Sequence, residues 1–80
     1  MFSKVLFGQR ILEQRKERNE TQAVLAQLLG VKSNHISEIE RGNRTTSAER
    51  IALICEHYRV SADYLLGLTD DPVPKNEVLP

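Results

Sequence analysis

Between Thr21 and Arg41 the chain reads TQAVLAQLLGVKSNHISEIER, two short apolar-patterned segments hinged on Gly30. Residues Leu25, Ala26, Leu28 and Leu29 give the first segment a broad inward face. Ile36 and Ile39 form an i,i+3 pair in the second, with Val31 near its start. Helices this short are marginal in water, so each must hold its partner through packing. Gly30 has no Cβ and permits the left-handed conformation that turns a chain sharply at a helix end. The stretch therefore confines the fold to a helix pair that buries its inner faces, leaves one side of the second helix open, and rests on a core supplied by the remaining residues.

The flanking sequence supplies three more helices. Residues 1–19 read as the first, with Phe7, Ile11 and Arg15 recurring on an inward stripe and Val5 and Leu12 beside it. An arginine on an apolar stripe must either snorkel out or meet a carboxylate. Asn19 tolerates positive φ and suits the C-terminal cap, and Thr21 the next N-cap. The third helix begins at Lys32 or Ser33, with Ser33 the better side-chain cap, and runs to about Glu40. Arg41-Gly42-Asn43-Arg44 breaks it. Ser47 caps a fourth helix over about 48–58, with Ala48, Ile51, Ile54, Cys55 and Tyr58 on one face. Arg59 stands where the chain must turn, at a small penalty for any left-handed geometry. Ser61 caps a fifth helix, 62–66, anchored by Leu65 and Leu66 and stopped by Gly67. The predicted organisation is one all-α domain of five helices over residues 1–69, with a proline-bearing tail, 70–80, expected to be extended or disordered.

Charge placement adds a direction to this scaffold. Lysine plus arginine equals aspartate plus glutamate, 11 of each. Residues 1–44 hold eight basic and five acidic residues, net +3, and residues 45–80 hold three and six, net −3. The helix pair thus lies in the basic half. At 80 residues a chain buries only about 60 to 65% of its unfolded surface, so a dimer partner would add useful burial.

Several function classes find no support. Cys55 is the lone cysteine, and reads as a small buried hydrophobe. His35 and His57 stand 22 positions apart with no metal-ligand spacing around them. No Gly-rich phosphate loop or serine with spaced partners is present. The expectation is a non-enzyme with no metal and no cofactor. The opening MFSKVLFGQRI lacks an apolar run of signal-peptide length, and no segment is apolar for about 18 residues, so a cytoplasmic protein without a membrane span is expected.

What remains is the open side of the third helix. Away from Ile36 and Ile39 project Lys32, Ser33, Asn34, Ser37 and Glu38, with His35 at the margin. Asn34 can pair with both adenine N6 and N7, Ser33 can donate or accept at several bases, and Glu38 can accept from cytosine N4 while repelling phosphate. Lys32 suits a backbone phosphate, adding affinity rather than choice. Gln22, at the start of the second helix, can reach a phosphate or support a reading side chain. Asn43, Arg44 and Thr46, in the following loop, are further candidate phosphate contacts. The same polar face also suits plain solvent exposure; the glycine joint, the two short helices and the charge split together favour DNA.

From Ile11 to Gly67 the sequence resembles the Cro/repressor-type, XRE-like helix-turn-helix family. The resemblance rests on Thr21-Gln22, Leu25-Ala26, Leu29-Gly30-Val31, Ile36-Ser37, Ile39-Glu40-Arg41-Gly42 and the ending Val60-Ser61-x-Asp63-x-Leu65-Leu66-Gly67. It implies a five-helix, lambda-repressor-like domain that binds double-stranded operator DNA as a homodimer, generally to repress transcription. It implies base reading by Ser33, Asn34 and Glu38, phosphate contact and bracing by Gln22, flanking roles for Lys32 and His35, and a structural ion pair between Arg15 and Glu40. The alternative is a protein-interaction module on the same fold, an antitoxin-like or anti-repressor protein with a regulatory protein partner. Four positions depart from the family pattern. Glu20 replaces an apolar residue, Thr46 a proline and Arg59 a glycine, and Glu38 brings negative charge toward a groove.

Overall fold

The computed structural model describes residues 1–74. Five helices follow in order: α1 (Lys4–Glu17), α2 (Gln22–Leu29), α3 (Ser33–Glu40), α4 (Ala48–Tyr58) and α5 (Ala62–Leu65). No strand occurs among the described residues.

Local chemistry sets where each helix starts. The hydroxyls of Ser3, Thr21, Ser47 and Ser61 accept from the backbone N–H of Leu6, Val24, Arg50 and Tyr64 respectively, satisfying otherwise orphaned donors. The exception is α3. Its N-cap is Lys32, which makes no side-chain cap bond, so the expected capping role of Ser33 is not realised and Ser33 is the first helical residue.

The ends share one device. Asn19, Gly30, Gly42, Arg59 and Gly67 all have φ between 54° and 83°. After each, a backbone N–H reaches back five residues: Glu20 to Arg15, Val31 to Ala26, Asn43 to Glu38, Val60 to Cys55 and Leu68 to Asp63, at 2.8–3.1 Å. This pairing satisfies the last carbonyls and reverses the chain within two residues. Arg59 adopts the left-handed geometry that its position demanded, at φ 59°.

α3 packs chiefly on α1 and α2, α4 on α2 and α5, and α5 on α1. The core they enclose holds Phe7, Ile11, Leu25, Ala26, Leu29, Ile36, Ile39, Ile54, Tyr58, Val60, Tyr64 and Leu65. Removing each of the larger aliphatic or aromatic side chains from water contributes roughly 1.5–3 kcal/mol. Tyr64 rather than Leu66 joins Leu65 as the anchor of α5. Val5 departs from the expected inward stripe and is exposed, as is Ala48 on α4. Gly8 takes the inward place instead. A Cβ there would lie 1.9 Å from the Ile39 carbonyl oxygen, so α1 crosses the end of α3 at backbone distance.

Residues 70–74 form no regular element, yet they are held. Arg10, buried on α1, donates to the carbonyls of Tyr64 and Thr69 and to Asp70 Oδ1, the last at 2.8 Å, and its guanidinium lies 4.3 Å from the Tyr64 ring centre. The Ser61 N–H donates to the Pro72 carbonyl at 2.8 Å. The rest of the expected tail, 75–80, lies outside the described residues.

Candidate nucleic-acid interface

α2 ends at Gly30, where φ 70° and ψ 32° send the chain into α3 after two connecting residues. Ile36 and Ile39 are 0% and 1% exposed, so this side of α3 is fixed in the core. The other side is thereby decided, because residues 34, 38 and 41 recur at i, i+4 and i+7. Lys32, Ser33 and Asn34 are exposed, and Ser37, Glu38 and His35 are half-buried. The polar residues expected to face outward thus include three freely presented side chains at the N-terminal end of α3.

A polar hub behind the helix pair holds α3 in place. Arg15 donates from Nε and one terminal nitrogen to the two Glu40 oxygens at 2.7 and 3.0 Å, and from the other to the Glu20 carbonyl at 2.6 Å. Gln22 Nε2 adds a bond to Glu40 Oε1 at 2.9 Å. The first residue of α2 and the last of α3 are therefore tied to one another and to α1. Arg15 is held protonated, foremost by its bond to Glu40, and more firmly than its own burial can oppose. Gln22 is a member of this hub, with its amide N–H turned to Glu40.

Several expected contact residues are engaged within the chain. Glu38 Oε2 accepts from Arg41 at 3.0 Å and Oε1 from Asn43 Nδ2 at 3.1 Å. His35 Nε2 is buried without a partner, and burial, followed by the charges of Arg44 and Arg50, pushes its pKa below the ordinary value. Both effects disfavour the charged form of His35. Thr46 Oγ1 is also buried and unpartnered. The hydroxyl of this candidate phosphate contact thus points inward in this conformation. Arg44 is exposed in the loop.

Sequence reasoning passed over Arg41. Its guanidinium side chain is 60% exposed, on the same stripe as Asn34 and Glu38. The i+7 recurrence was the available signal, masked because Arg41 also opens the breaker cluster that ends the helix. Arg50, also unassigned, donates from Nε to the Leu29 carbonyl at 3.3 Å and secures α4 against the end of α2. Among the described residues no group of three His, Cys, Asp or Glu side chains is placed to hold a metal ion. No helix among them is long and apolar enough to cross a membrane.

A second polar cluster explains Glu20. Its carboxylate accepts from Tyr58 Oη at 2.5 Å and pairs with His57 Nε2 at 2.6 Å, fastening the α1–α2 turn to α4. Arg18 continues this seam, donating to the Tyr58 carbonyl at 2.8 Å and lying 5.0 Å from that ring's centre.

Comparison with known proteins places this geometry. A family model described as helix-turn-helix matches residues 11–65. The chain is 33% identical over 72 residues to an uncharacterized HTH-type transcriptional regulator, YobD, of Bacillus subtilis, covering 90% of the chain and 64% of that protein. It is 36% identical over 70 residues to the HTH-type transcriptional regulator ImmR of the same organism, covering 88% of the chain and 54% of that protein. The chain thus spans less than two thirds of the length of either relative. Among solved structures, the P22 c2 repressor protein in complex with a synthetic operator superposes with a TM-score of 0.70 at 33% identity, covering 75% of this chain and 91% of that one.

Proposed function

The chain belongs to the helix-turn-helix family, and from that premise we propose that it is a sequence-specific DNA-binding transcriptional regulator, a cytoplasmic repressor that occupies operator DNA as a homodimer. The single observation that carries the reading is the exposure of Lys32, Ser33 and Asn34 at the N-terminal end of α3, whose opposite face is locked by Ile36 and Ile39. A recognition helix reads base edges mainly from its N-terminal residues. Ser33 and Asn34 are the base readers, Asn34 by paired bonds to adenine. Lys32 and Arg44 meet phosphate, and Gln22 braces the pair of helices through Glu40. In a two-fold dimer the half-sites lie about 34 Å apart, one turn of DNA.

Selection of bound duplexes from a random pool, at stated salt, tests the assignment. Asn34→Ala should lower discrimination at one base pair by about 1–3 kcal/mol. Lys32→Ala should weaken all duplexes alike and reduce the dependence of log K on log salt by about 0.9 per neutralised phosphate. Equal, sequence-independent losses from both substitutions would remove the distinction on which the reading depends.

The protein-interaction alternative draws support from the zero net charge of the chain. On that reading no duplex is enriched from the pool, and α3 amide shifts do not respond to DNA at any salt concentration.

A further inference from the structure

A carboxylate on the open face of α3 is unfavourable next to phosphates unless something neutralises it, and in Glu38 both oxygens are already taken. Arg41 donates to Oε2 at 3.0 Å and Asn43 Nδ2 to Oε1 at 3.1 Å. The Asn43 backbone N–H also donates to the Glu38 carbonyl at 3.0 Å, so the turn leaving α3 folds back on the same residue. We propose that Glu38 is a positioning residue rather than a base reader, and that it aims Arg41 at a phosphate oxygen of the DNA backbone. The inference rests on the DNA-binding reading given above.

Three observations carry it. First, one guanidinium nitrogen of Arg41 is spent on Glu38 while the side chain remains 60% exposed. A guanidinium has five N–H donors in a rigid fork, so anchoring one edge directs the rest outward. Second, Arg41 follows Asn34 by seven residues on one stripe, about 10 Å along the helix axis. With the N-terminal residues of α3 against base edges in a groove about 8.5 Å deep, a residue so far along the helix meets the wall of the groove, where the phosphates are, rather than its floor. Third, the arrangement is more than a chance surface pair. An exposed i,i+3 ion pair by itself adds little to stability, but here a side chain and a backbone bond from Asn43 hold Glu38 from the other side. The charge of Glu38 is cancelled by the group it orients, which leaves the face approachable by a polyanion.

The test uses the full chain, a duplex enriched by the wild-type protein from a random pool, and the variants Arg41→Ala, Glu38→Ala and the double variant. Thermal melts confirm that each folds, as expected for substitutions on the open face. Arg41→Ala should weaken the enriched and a scrambled duplex alike, by about tenfold, and flatten the salt slope by about 0.9 for each phosphate no longer neutralised. Glu38→Ala should weaken binding by a smaller factor without changing the selected sequence, and once Arg41 is gone it should cause no further loss but recover part of the affinity, because it then removes an unneutralised carboxylate.

Other results overturn the proposal. A changed base preference in Glu38→Ala makes Glu38 a reader after all, and one in Arg41→Ala makes Arg41 a base contact. A uniform gain in affinity for Glu38→Ala makes Glu38 a source of repulsion only. Additive losses in the double variant dissolve the link between the two. If the wild-type protein enriches no duplex, the DNA-binding reading itself fails; an enriched duplex bound equally by wild type and Arg41→Ala sinks this inference alone.

Discussion

Arg15 and Glu40, 25 positions apart in sequence, form a two-pronged ion pair at 2.7 and 3.0 Å that joins α1 to the last turn of α3. Their side chains are 11% and 5% exposed. Truncating one partner strands the other's charge out of water, and Glu40→Ala also strands the Gln22 amide. Arg15→Ala or Glu40→Ala should each cost about 3–5 kcal/mol in a urea melt. A paired apolar replacement, Arg15→Met with Glu40→Leu, should cost less than either single change. A double variant as unstable as the sum of the singles would contradict this account.

Acid should unfasten the α1–α2 turn from α4. Burial pushes the Glu20 carboxyl up, but the hydrogen bonds from Tyr58 and His57 and the charges of His57 and Arg18 outweigh it, holding the group below its ordinary value of 4.5. A depressed carboxyl binds its proton more readily in the unfolded chain. Its stabilisation is therefore present above the unfolded pKa and lost as pH falls through the folded one. Unfolding free energy measured from pH 6 downward should decline less steeply in Glu20→Gln than in wild type. Parallel curves would show that Glu20 contributes nothing to the acid limb.

The same bond has an alkaline signature. Burial first, then the Glu20 carboxylate, pushes the Tyr58 hydroxyl well above its ordinary value of 10.0. The unfolded chain releases this proton first, so stability declines as pH rises past 10. Tyr58→Phe should remove that part of the decline and leave Glu20 short of a donor, costing about 1–3 kcal/mol at neutral pH. Tyrosine absorbance titration against pH, in wild type and variant, reads the difference directly.

His35 couples the edge of the candidate interface to mild acid. Burial, with Arg44 and Arg50 adding repulsion, depresses its pKa from 6.5. Protonation then favours the unfolded chain, and stability is lost as pH falls below about 6.5. His35→Gln should flatten stability across that window, an effect visible in melting temperatures collected between pH 7 and pH 5. An unchanged slope would place His35 in solvent rather than in its buried setting.

Backbone geometry predicts two changes of opposite sign. Arg59 holds φ 59° with an L side chain, and Arg59→Gly should stabilise the fold by about 0.5–1 kcal/mol. Gly8→Ala would drive a methyl to 1.9 Å from the Ile39 carbonyl oxygen and should cost about 3 kcal/mol or more, by forcing α1 off α3. Urea midpoints of the two proteins, moving in opposite directions from wild type, check both at once.

Local signals were legible wherever a few neighbouring residues decide the outcome. Thr21, Ser47 and Ser61 cap because their hydroxyls reach an N–H three residues on, and Asn19, Gly30 and Gly67 end helices because they tolerate positive φ. Ile36 and Ile39 declared the buried face of α3, which in turn defined the open one. The pairing of Arg15 with Glu40 came from family resemblance, and only its odd place on an apolar stripe was visible in the residues themselves. The intrachain partners of Glu38 were hidden for the opposite reason. Its place on the stripe suggested a base reader, while the groups that bond it, Arg41 and Asn43, carry the signature of a turn.

The sequence alone determined the number of helices, their ends and the face α3 turns to the core, because hydrogen-bond caps and hydrophobic periodicity act within one or two turns of chain. Tertiary structure decided which polar groups remain free to work. It turned the Thr46 hydroxyl and the His35 nitrogen inward, bound Gln22 to Glu40, and converted Glu20 from an apparent defect into a partner for Tyr58. Such choices depend on which side chains distant in sequence arrive within about 3 Å of one another. That proximity is fixed by helix packing, to which a single residue such as Gly8 contributes through the atoms it lacks.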